Sequence, residues 1–335
     1  SKRNVLVKGG KYLEAIKDAD VIVFDKTGTL TNANPTVKKV VPLNGYMRDE
    51  VLRIAACLEE HFPHSVANAI VNQAKKEGLI HDEEHAKVEY IIAHGIATIY
   101  RDQRAIIGSD HFVFEDEGCT VPEGRQEMFD NLPEEYSHLY LAIEDKLAAV
   151  ICIEDPVRPE AKEVISSLKE LGISKVVMMT GDSERTAKAI AGKVGVDEYY
   201  SEVLPEDKAS FVEKEKAAGR KVIMIGDGIN DSPALSAADV GIAISDGAQI
   251  AREIADITVS ADDLGQIIYL KDLSNNLIKK INRNYRTIVS FNSGLIALGV
   301  LGVIQPTTSA LLHNTSTLFI SMNSMKNITL AEEHK

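Results

Sequence analysis

Cysteine is scarce and unpaired in this chain. Cys57, Cys119 and Cys152 are far apart, odd in number and form no CxxC pair. That excludes a disulfide framework and fits a reduced, intracellular catalytic region with thiols as filler. No GxxxxGK[ST] run occurs, so a P-loop nucleotide site is excluded. Basic charge is in deficit: 37 Lys and Arg stand against 50 Asp and Glu, a net charge of −13. No nucleic acid partner is expected, because neutralising phosphates needs clustered cations. Residues 1–11 are basic and contain no apolar h-region, so no secretory signal is expected. No internal repeat or low-complexity tract stands out. A length of 335 residues leads us to expect two domains or more.

One absence is local. Between Arg286 and Lys326 there is no Asp, Glu, Lys or Arg, and Pro306 lies near the middle of the block. Each half has about the 20 residues that a helix needs to cross a bilayer. Lys279, Lys280, Arg283 and Arg286 precede the block and Lys326 follows it, which places both ends on the cytoplasmic side. A transmembrane helical hairpin is the expectation. Its second half carries Thr307, Thr308, His313, Asn314, Thr315, Ser316 and Thr317. It therefore needs partner helices if it is in a membrane, and otherwise reads as a buried soluble helix.

What is present is a series of β-branched runs that end on carboxylates. VIVFD at 21–25, AAVICIED at 148–155, KVVMMTGD at 175–182, KVIMIGDG at 221–228 and VGIAI at 240–244 read as buried strands. Helical patterns at 159–171, 183–194, 205–218 and 230–237 alternate with them. Alternation predicts an α/β fold, a doubly wound parallel sheet with helices on both faces. Ligands then sit beyond the carboxyl ends of the strands, where Asp25, Asp155, Asp182 and Asp227 gather. Such a cluster repels itself, so a cation is implied. Residues 36–142 break the alternation, with helices at 48–60 and 63–78, strands at 88–100 and 104–108, and a hairpin over 139–153. They are expected to form an inserted α+β domain. The sheet domain then comprises 1–35 and 143–272, and 273–335 a stalk helix and the hairpin.

The stretch DKTGTLT at 25–31 explains why a strand would end on an aspartate. A carboxylate there can attack a phosphoryl group and form an aspartyl-phosphate. The small residues after it, Thr27 and Gly28 among them, let backbone N–H groups approach phosphate oxygens. Such transfer needs positioning and charge neutralisation more than covalent help. Thr180, Gly181 and Lys208 are suitable donors, and Asp227 and Asp231 can hold Mg²⁺ together with Asp25. The pair His81 and His85 in HDEEH resembles a zinc-protease motif only loosely, since HExxH requires glutamate where Asp82 stands.

DKTGTLT, TGD at 180–182 and GDGIND at 226–231 occur in this order, with Lys208 between the last two. The ordered set resembles the phosphorylation domain of P-type ATPases, a branch of the haloacid dehalogenase-like fold. KGGKYLE from Lys8, DPVRPEA from Asp155 and the late hairpin resemble the heavy-metal-transporting (type IB) subgroup. The resemblance covers essentially the whole chain. It implies that Asp25 is the nucleophile, with Lys26 and Thr27 beside it. Asp227 and the backbone carbonyl of Thr27 would hold Mg²⁺. Thr180 and Lys208 would contact phosphate beside Gly181 and Asp182, with Asn230 and Asp231 completing the site. Asp155 and Arg158 would tie the sheet to the inserted domain.

In that subgroup the inserted domain binds ATP. His64 in PHSVANAIV aligns with the family's His-Pro histidine, although Ser65 replaces the proline. It would stack on or orient adenine, or it is an ordinary helix-start histidine. AHGIA resembles the GxG motif with Gly95 kept and Ala93 in place of the first glycine, and Gly108 matches a further glycine. A missing Cβ lets backbone approach a flat base. The hairpin resembles the last two of the family's eight helices. Asn292 lies where the seventh helix often offers a ligand, and His313-Asn314-Thr315-Ser316-Thr317 resembles the HEGST-like pattern of the cobalt-type branch. The implied cargo is a transition-metal cation, a divalent one favoured; helix packing is the other reading of His313. The resemblance also implies a multi-pass protein, in the plasma membrane, with cytoplasmic catalytic domains. This chain would be its C-terminal part, without the actuator domain and helices 1–6. Two other classes compete. A soluble phosphatase of the same superfamily places a second aspartate two residues after the nucleophile, where this chain has Thr27. A catalytically silent nucleotide sensor would have no use for Asp25, Lys208, Asp227 and Asp231 together.

Overall fold

The structure, a computed structural model, describes residues 5–60, 65–79, 89–91, 95–227, 231–244, 253–260, 263–326 and 328. The chain opens with β1 (Val5–Val7) and α1 (Gly10–Lys17) and enters β2 (Val21–Asp25), which is buried along its whole length. After a turn at Lys26–Leu30 it leaves the first sheet. It then forms β3 (Thr36–Pro42), α2 (Arg48–Glu59), α3 (Ser65–Lys76), β4 (Glu89–Ile91), β5 (Gly95–Tyr100) and β6 (Gln103–Gly108). α4 (Gln126–Asp130), β7 (Ser137–Ile143) and β8 (Lys146–Glu154) complete this excursion. The return comprises α5 (Ala161–Glu170), β9 (Lys175–Met179), α6 (Glu184–Val194), β10 (Glu198–Tyr200) and α7 (Pro205–Ala217). β11 (Val222–Gly226), α8 (Ser232–Ala237), β12 (Val240–Ile244) and β13 (Ile257–Val259) follow, before the long helices α9 (Gln266–Val300) and α10 (Pro306–Ser324).

Two sheets result. The first has seven strands in the order β1-β13-β12-β11-β2-β9-β10, parallel except where β1 meets β13. Its order reverses at β2: β9 and β10 extend one way, and β11 to β13 the other. A crevice opens beyond the carboxyl ends of strands at such a reversal. Asp25, the last residue of β2, stands at that point. Isoleucines and valines of β2, β9, β11 and β12 fill one core with α5 and α6, and Val212, Ala234 and Leu235 cover the other face. The second sheet has six strands, all antiparallel, in the order β3-β8-β7-β6-β5-β4.

One strand lies elsewhere than its sequence suggested. The run 148–155 reads as part of the parallel sheet, yet β8 pairs with β3 and β7 in the antiparallel one. Unbroken burial usually marks a parallel strand covered on both faces. Here an antiparallel sheet is covered twice. Leu52, Leu58 and Ile70 of α2 and α3 pack on Ala149, Ile151 and Ile153, while Phe112 and Leu132 pack on Val150 and Cys152. The chain therefore crosses back to the first sheet after Glu154, beyond the boundary read at 142.

A second correction concerns the C-terminal hairpin. α9 and α10 do form a helical hairpin, but among the described residues no helix is long and apolar enough to cross a membrane. The reason is composition. The uncharged part of α9 is only the portion after Arg286, and eight polar residues from Thr307 to Thr317 dilute α10. Large apolar side chains such as Phe291, Leu301, Leu311 and Phe319 remain exposed along the pair.

Candidate active site

β2 delivers Asp25 to the crevice because its four preceding residues are apolar and fully buried, which fixes the strand's register. The turn after it needs a left-handed residue, and Gly28 supplies φ +75°. Lys208 comes from the first turn of α7, and its Nζ lies 2.5 Å from Asp25 Oδ1 and 2.7 Å from Asp231 Oδ1. All three side chains are buried. Asp231 also accepts a hydrogen bond from the Asp227 backbone N–H at 3.3 Å. Close packing makes this possible: a Cβ on Gly226 would come within 2.7 Å of the Asp231 Cγ.

The electrostatics follow from this crowding. Burial pushes the Asp25 carboxyl up to about 7; the Asp231 charge adds to the rise, Lys208 pulls against it and Asp227 adds a little more. Burial opposes the charge on Lys208, but Asp25 and Asp231 outweigh it and raise its pKa. Proton and ammonium are thus shared within one buried group of three.

The other side of the crevice is a second network. Lys26, the residue after Asp25, pairs with Asp182 at 2.6 Å. Thr180 donates to Asp182 Oδ2 at 2.8 Å and accepts from its N–H at 3.1 Å. Burial disfavours the Asp182 charge, yet Lys26, Thr180 and Ser137 hold its carboxyl below the usual range. Thr180 is therefore turned toward Asp182 rather than presented free to a phosphate. Below them, Thr31 donates to Asp155 Oδ2 at 2.5 Å, and Arg158 Nε donates to the Thr31 carbonyl at 3.2 Å. Arg158 N–H bonds the Leu30 carbonyl and Asn32 N–H the Pro156 carbonyl. These bonds bind together the two chain segments that pass between the sheets.

A cavity of about 640 Å³ opens between the sheets, beside Gly181 and Asp182. Glu59 of α2 and Gly95, Gly108, Ser137, His138 and Tyr140 of the six-stranded sheet line it. Gly95 and Gly108 are thus brought together, as register partners of β5 and β6. The reason for Gly95 is more specific than the one expected. A Cβ there would lie 2.5 Å from both the Ile107 carbonyl and Phe112 Cδ1, so a neighbouring ring occupies the space. His64, Ala93, Asn230 and the pair His81 and His85 lie outside the described residues. Glu59, His138 and Tyr140 were missed by the sequence reading. Glu59 carried a usable signal: it follows Val51 by eight residues and Ala55 by four, on the apolar stripe of α2, and an acid is rarely buried without a partner. His138 and Tyr140 face the cavity only because β7 lies where it does.

Asn292 and His313 are also brought together. The His313 Nδ1–H donates to Asn292 Oδ1 at 2.9 Å across the α9–α10 hairpin.

The donor set at Asp25 suits a small hard cation. Among the described residues no three carboxylate, imidazole or thiolate groups converge on one point. Mg²⁺ does not need such a cage: it binds one or two carboxylates and completes its shell with water and phosphate. Asp25 and Asp227 offer two such carboxylates close enough to feel each other: the Asp227 charge adds to the rise of the Asp25 carboxyl that burial and Asp231 cause.

Comparison with known proteins agrees with this geometry. Residues 19–239 match the haloacid dehalogenase-like hydrolase family. The chain is 36% identical over 97% of its length to a zinc-exporting P-type ATPase of Mycobacterium marinum, covering 45% of that protein. It is 39% identical over 92% of its length to copper-transporting ATPase 2 of Rhizobium meliloti, covering 37%. The chain thus spans less than half the length of these relatives. Among solved structures, a zinc-transporting PIB-type ATPase in its E2.Pi state superposes with TM-score 0.69 at 30% identity, over 97% of this chain and 52% of that one. The catalytic domain of the CPx-ATPase CopB-B superposes with TM-score 0.63 at 30% identity, over 80% of this chain and 94% of that domain.

Proposed function

The chain belongs to the haloacid dehalogenase-like hydrolase family, in its heavy-metal P-type ATPase branch, and on that premise we propose that it is the catalytic part of an ATP-driven transition-metal exporter. The single observation that carries the reading is Asp25 at the strand-order reversal, bound to Lys208 and Asp231, with a threonine instead of an acid at position 27.

ATP is read as sitting in the cavity between the sheets, its base end among Glu59, Gly95, Gly108 and His138 and its γ-phosphate toward Asp25. His64 is read as a further adenine contact. Asp25 Oδ attacks the γ-phosphorus; the new O–P bond forms as the bond to the β,γ-bridging oxygen breaks, and ADP leaves with that electron pair. Lys208 stabilises the ionised carboxylate before attack and the added phosphoryl charge afterwards. Lys26 and Asp182 hold the opposite wall. Mg²⁺, held by Asp25, Asp227 and the Thr27 carbonyl, would neutralise charge on the transferred group. Thr27 has no carboxylate to activate water, so the acyl-phosphate persists and can drive a conformational step.

The six-stranded sheet is read as the nucleotide-binding part, the seven-stranded sheet as the phosphorylation part, and the segment from 273 as stalk and hairpin. We place the whole protein in a membrane, held there by helices that the rest of the pump supplies, with the polar faces of α9 and α10 packed against those helices. Asn292 and His313 are then candidate ligands for the cargo, a divalent transition metal favoured by imidazole. An actuator domain and six further helices are read as its intramolecular partners. The test is labelling with γ-³²P-ATP and Mg²⁺. An acid-stable, hydroxylamine-sensitive adduct is expected, and Asp25→Asn should form none. Rapid phosphate release from small phosphomonoesters with no trapped adduct would favour a phosphatase instead.

A further inference from the structure

Arg185 takes no part in the chemistry described so far. It lies in the first turn of α6, three residues after Asp182, and reaches across to the other sheet. Its Nη2 donates to the carbonyls of Asp130, the last residue of α4, at 3.2 Å and of Leu132, between α4 and β7, at 2.9 Å. Its Nε lies 3.1 Å from the Glu134 carboxylate. The next residue, Thr186, donates to the Tyr136 carbonyl at 3.0 Å. Ser137, the first residue of β7, donates to Asp182 Oδ1 at 2.8 Å. His138 Nε2–H donates to the Pro133 carbonyl at 3.0 Å and so closes the segment on itself. Segment 130–137 is therefore a strap of the nucleotide-side sheet, buttoned onto the start of α6.

The location gives the strap its consequence. Ser137 pairs with Ile153 near the end of β8, close to where the chain crosses between sheets. Bonds there control rotation about the crossing segments, and the cavity lies on the same side, lined by Ser137, His138 and Asp182. The strap also ends on Asp182, whose other partner is Lys26, next to the nucleophile. A planar guanidinium suits this position because its Nη2 serves two carbonyls while its charge faces the Glu134 carboxylate.

We propose that Arg185 is a positioning residue for phosphoryl transfer, holding the nucleotide-side sheet at the angle that brings a bound γ-phosphate onto Asp25. This rests on the function proposed above. It separates two donors. ATP is held by one sheet and reacts on the other, so its transfer depends on the angle; acetyl phosphate needs only the Asp25 edge. A misplacement of about 1 Å can cost about 100-fold in rate.

The experiment measures phosphorylation of the full chain by rapid quench with each donor, together with ATP affinity by calorimetry. In Arg185→Ala the rate from ATP should fall about 10–100-fold, while the rate from acetyl phosphate and the affinity for ATP stay within about twofold. An equal loss with both donors, no loss with either, or a loss of ATP affinity alone would overturn the proposal. Arg185→Gln keeps the stem and one amide donor, and should give an intermediate ATP rate. A second readout needs no chemistry. Spin labels on Asp102→Cys in the β5–β6 turn and Glu213→Cys on α7 report the distance between the sheets. The three native cysteines are buried and should not compete for label. The distance distribution should broaden in both Arg185 variants; an unchanged width overturns the strap even if the chain accepts phosphate from neither donor, an outcome that would separately refute the proposed function.

Discussion

Replacing Lys208 with methionine should silence Asp25 with a proton rather than by displacing it. Lys208 Nζ contacts Asp25 and Asp231 at 2.5 and 2.7 Å inside the protein. Asp25 already ionises at about 7, raised first by burial and then by Asp231, and Lys208 is what keeps it from rising further. An opposite charge in contact lowers a carboxyl pKa by about 1–3. Without it the Asp25 midpoint should move to about 8–10. At pH 7 the ionised fraction then drops from about one half to between about one tenth and one thousandth. The assay is ¹³C-carboxyl NMR of labelled aspartate in metal-free protein, titrated from acid to alkaline pH. A variant midpoint at or below 7 would refute the reasoning. Stability carries the same signature. The folded carboxyl keeps a proton that the unfolded chain releases near 3.8. This group's contribution therefore declines as pH rises from there to about 7, and in Lys208→Met the decline should continue to about 8–10. Its slope is about 1.4 kcal/mol per pH unit.

Three further outcomes are expected. Gly226→Ala would press a Cβ to within 2.7 Å of the Asp231 Cγ; overpacking of about 1–3 kcal/mol should lower the melting temperature by several degrees, with a loss of phosphorylation, and an unchanged melt would contradict the packing. Gly95→Ala would meet the Ile107 carbonyl and the Phe112 ring at 2.5 Å. Hydrogen exchange should speed up in β5 and β6 by an amount matching about 1–3 kcal/mol, and unaltered protection would show that Phe112 yields freely. Lys271, on α9, donates to the carbonyls of Ile16 and Lys17 at the end of α1, and burial, helped by Lys17, pulls its pKa down to about 8. The unfolded chain then holds the proton longer, so this group's contribution to stability rises from about pH 8 to 10.5. The melting difference between wild type and Lys271→Met should widen in favour of wild type over that range, and a constant difference would remove Lys271 as the cause.

How far the sequence was legible depends on whether a residue's role is set locally. The strands that end on Asp25, Asp182 and Asp227 could be read because a β-branched run followed by Gly or Thr and a carboxylate is a local pattern, and strand alternation then fixes which edge they share. Glycines were legible as positions but not as reasons. Gly28 has the positive φ that a turn demands, whereas Gly95 answers to Phe112, which no motif ties to it. β8 was misplaced because burial on both faces looks the same in one dimension whether helices or aromatic loops do the covering. The hairpin shows the opposite error: a gap in charge was visible, but hydroxyls, amides and an imidazole set the polarity that decides whether a helix crosses a bilayer.

The contacts that matter most to the proposed chemistry were the least local. Lys208 lies 183 residues from Asp25, and Arg185 lies 53 from the Leu132 carbonyl it holds. Lys208 could still be suspected, because a buried carboxylate needs a cation and a motif order limits where one can come from. Arg185 could not, since its acceptors are backbone carbonyls, and a carbonyl has no signature in sequence. That difference yields a general expectation for this site. Residues that meet Asp25 through side-chain charge, Lys208 among them, should show their effects in pH profiles. Residues that act by holding backbone should show theirs as a difference between ATP and acetyl phosphate. If Lys208→Met discriminated between the two donors while leaving the Asp25 midpoint in place, the division between charge and geometry drawn here would fail for both residues at once.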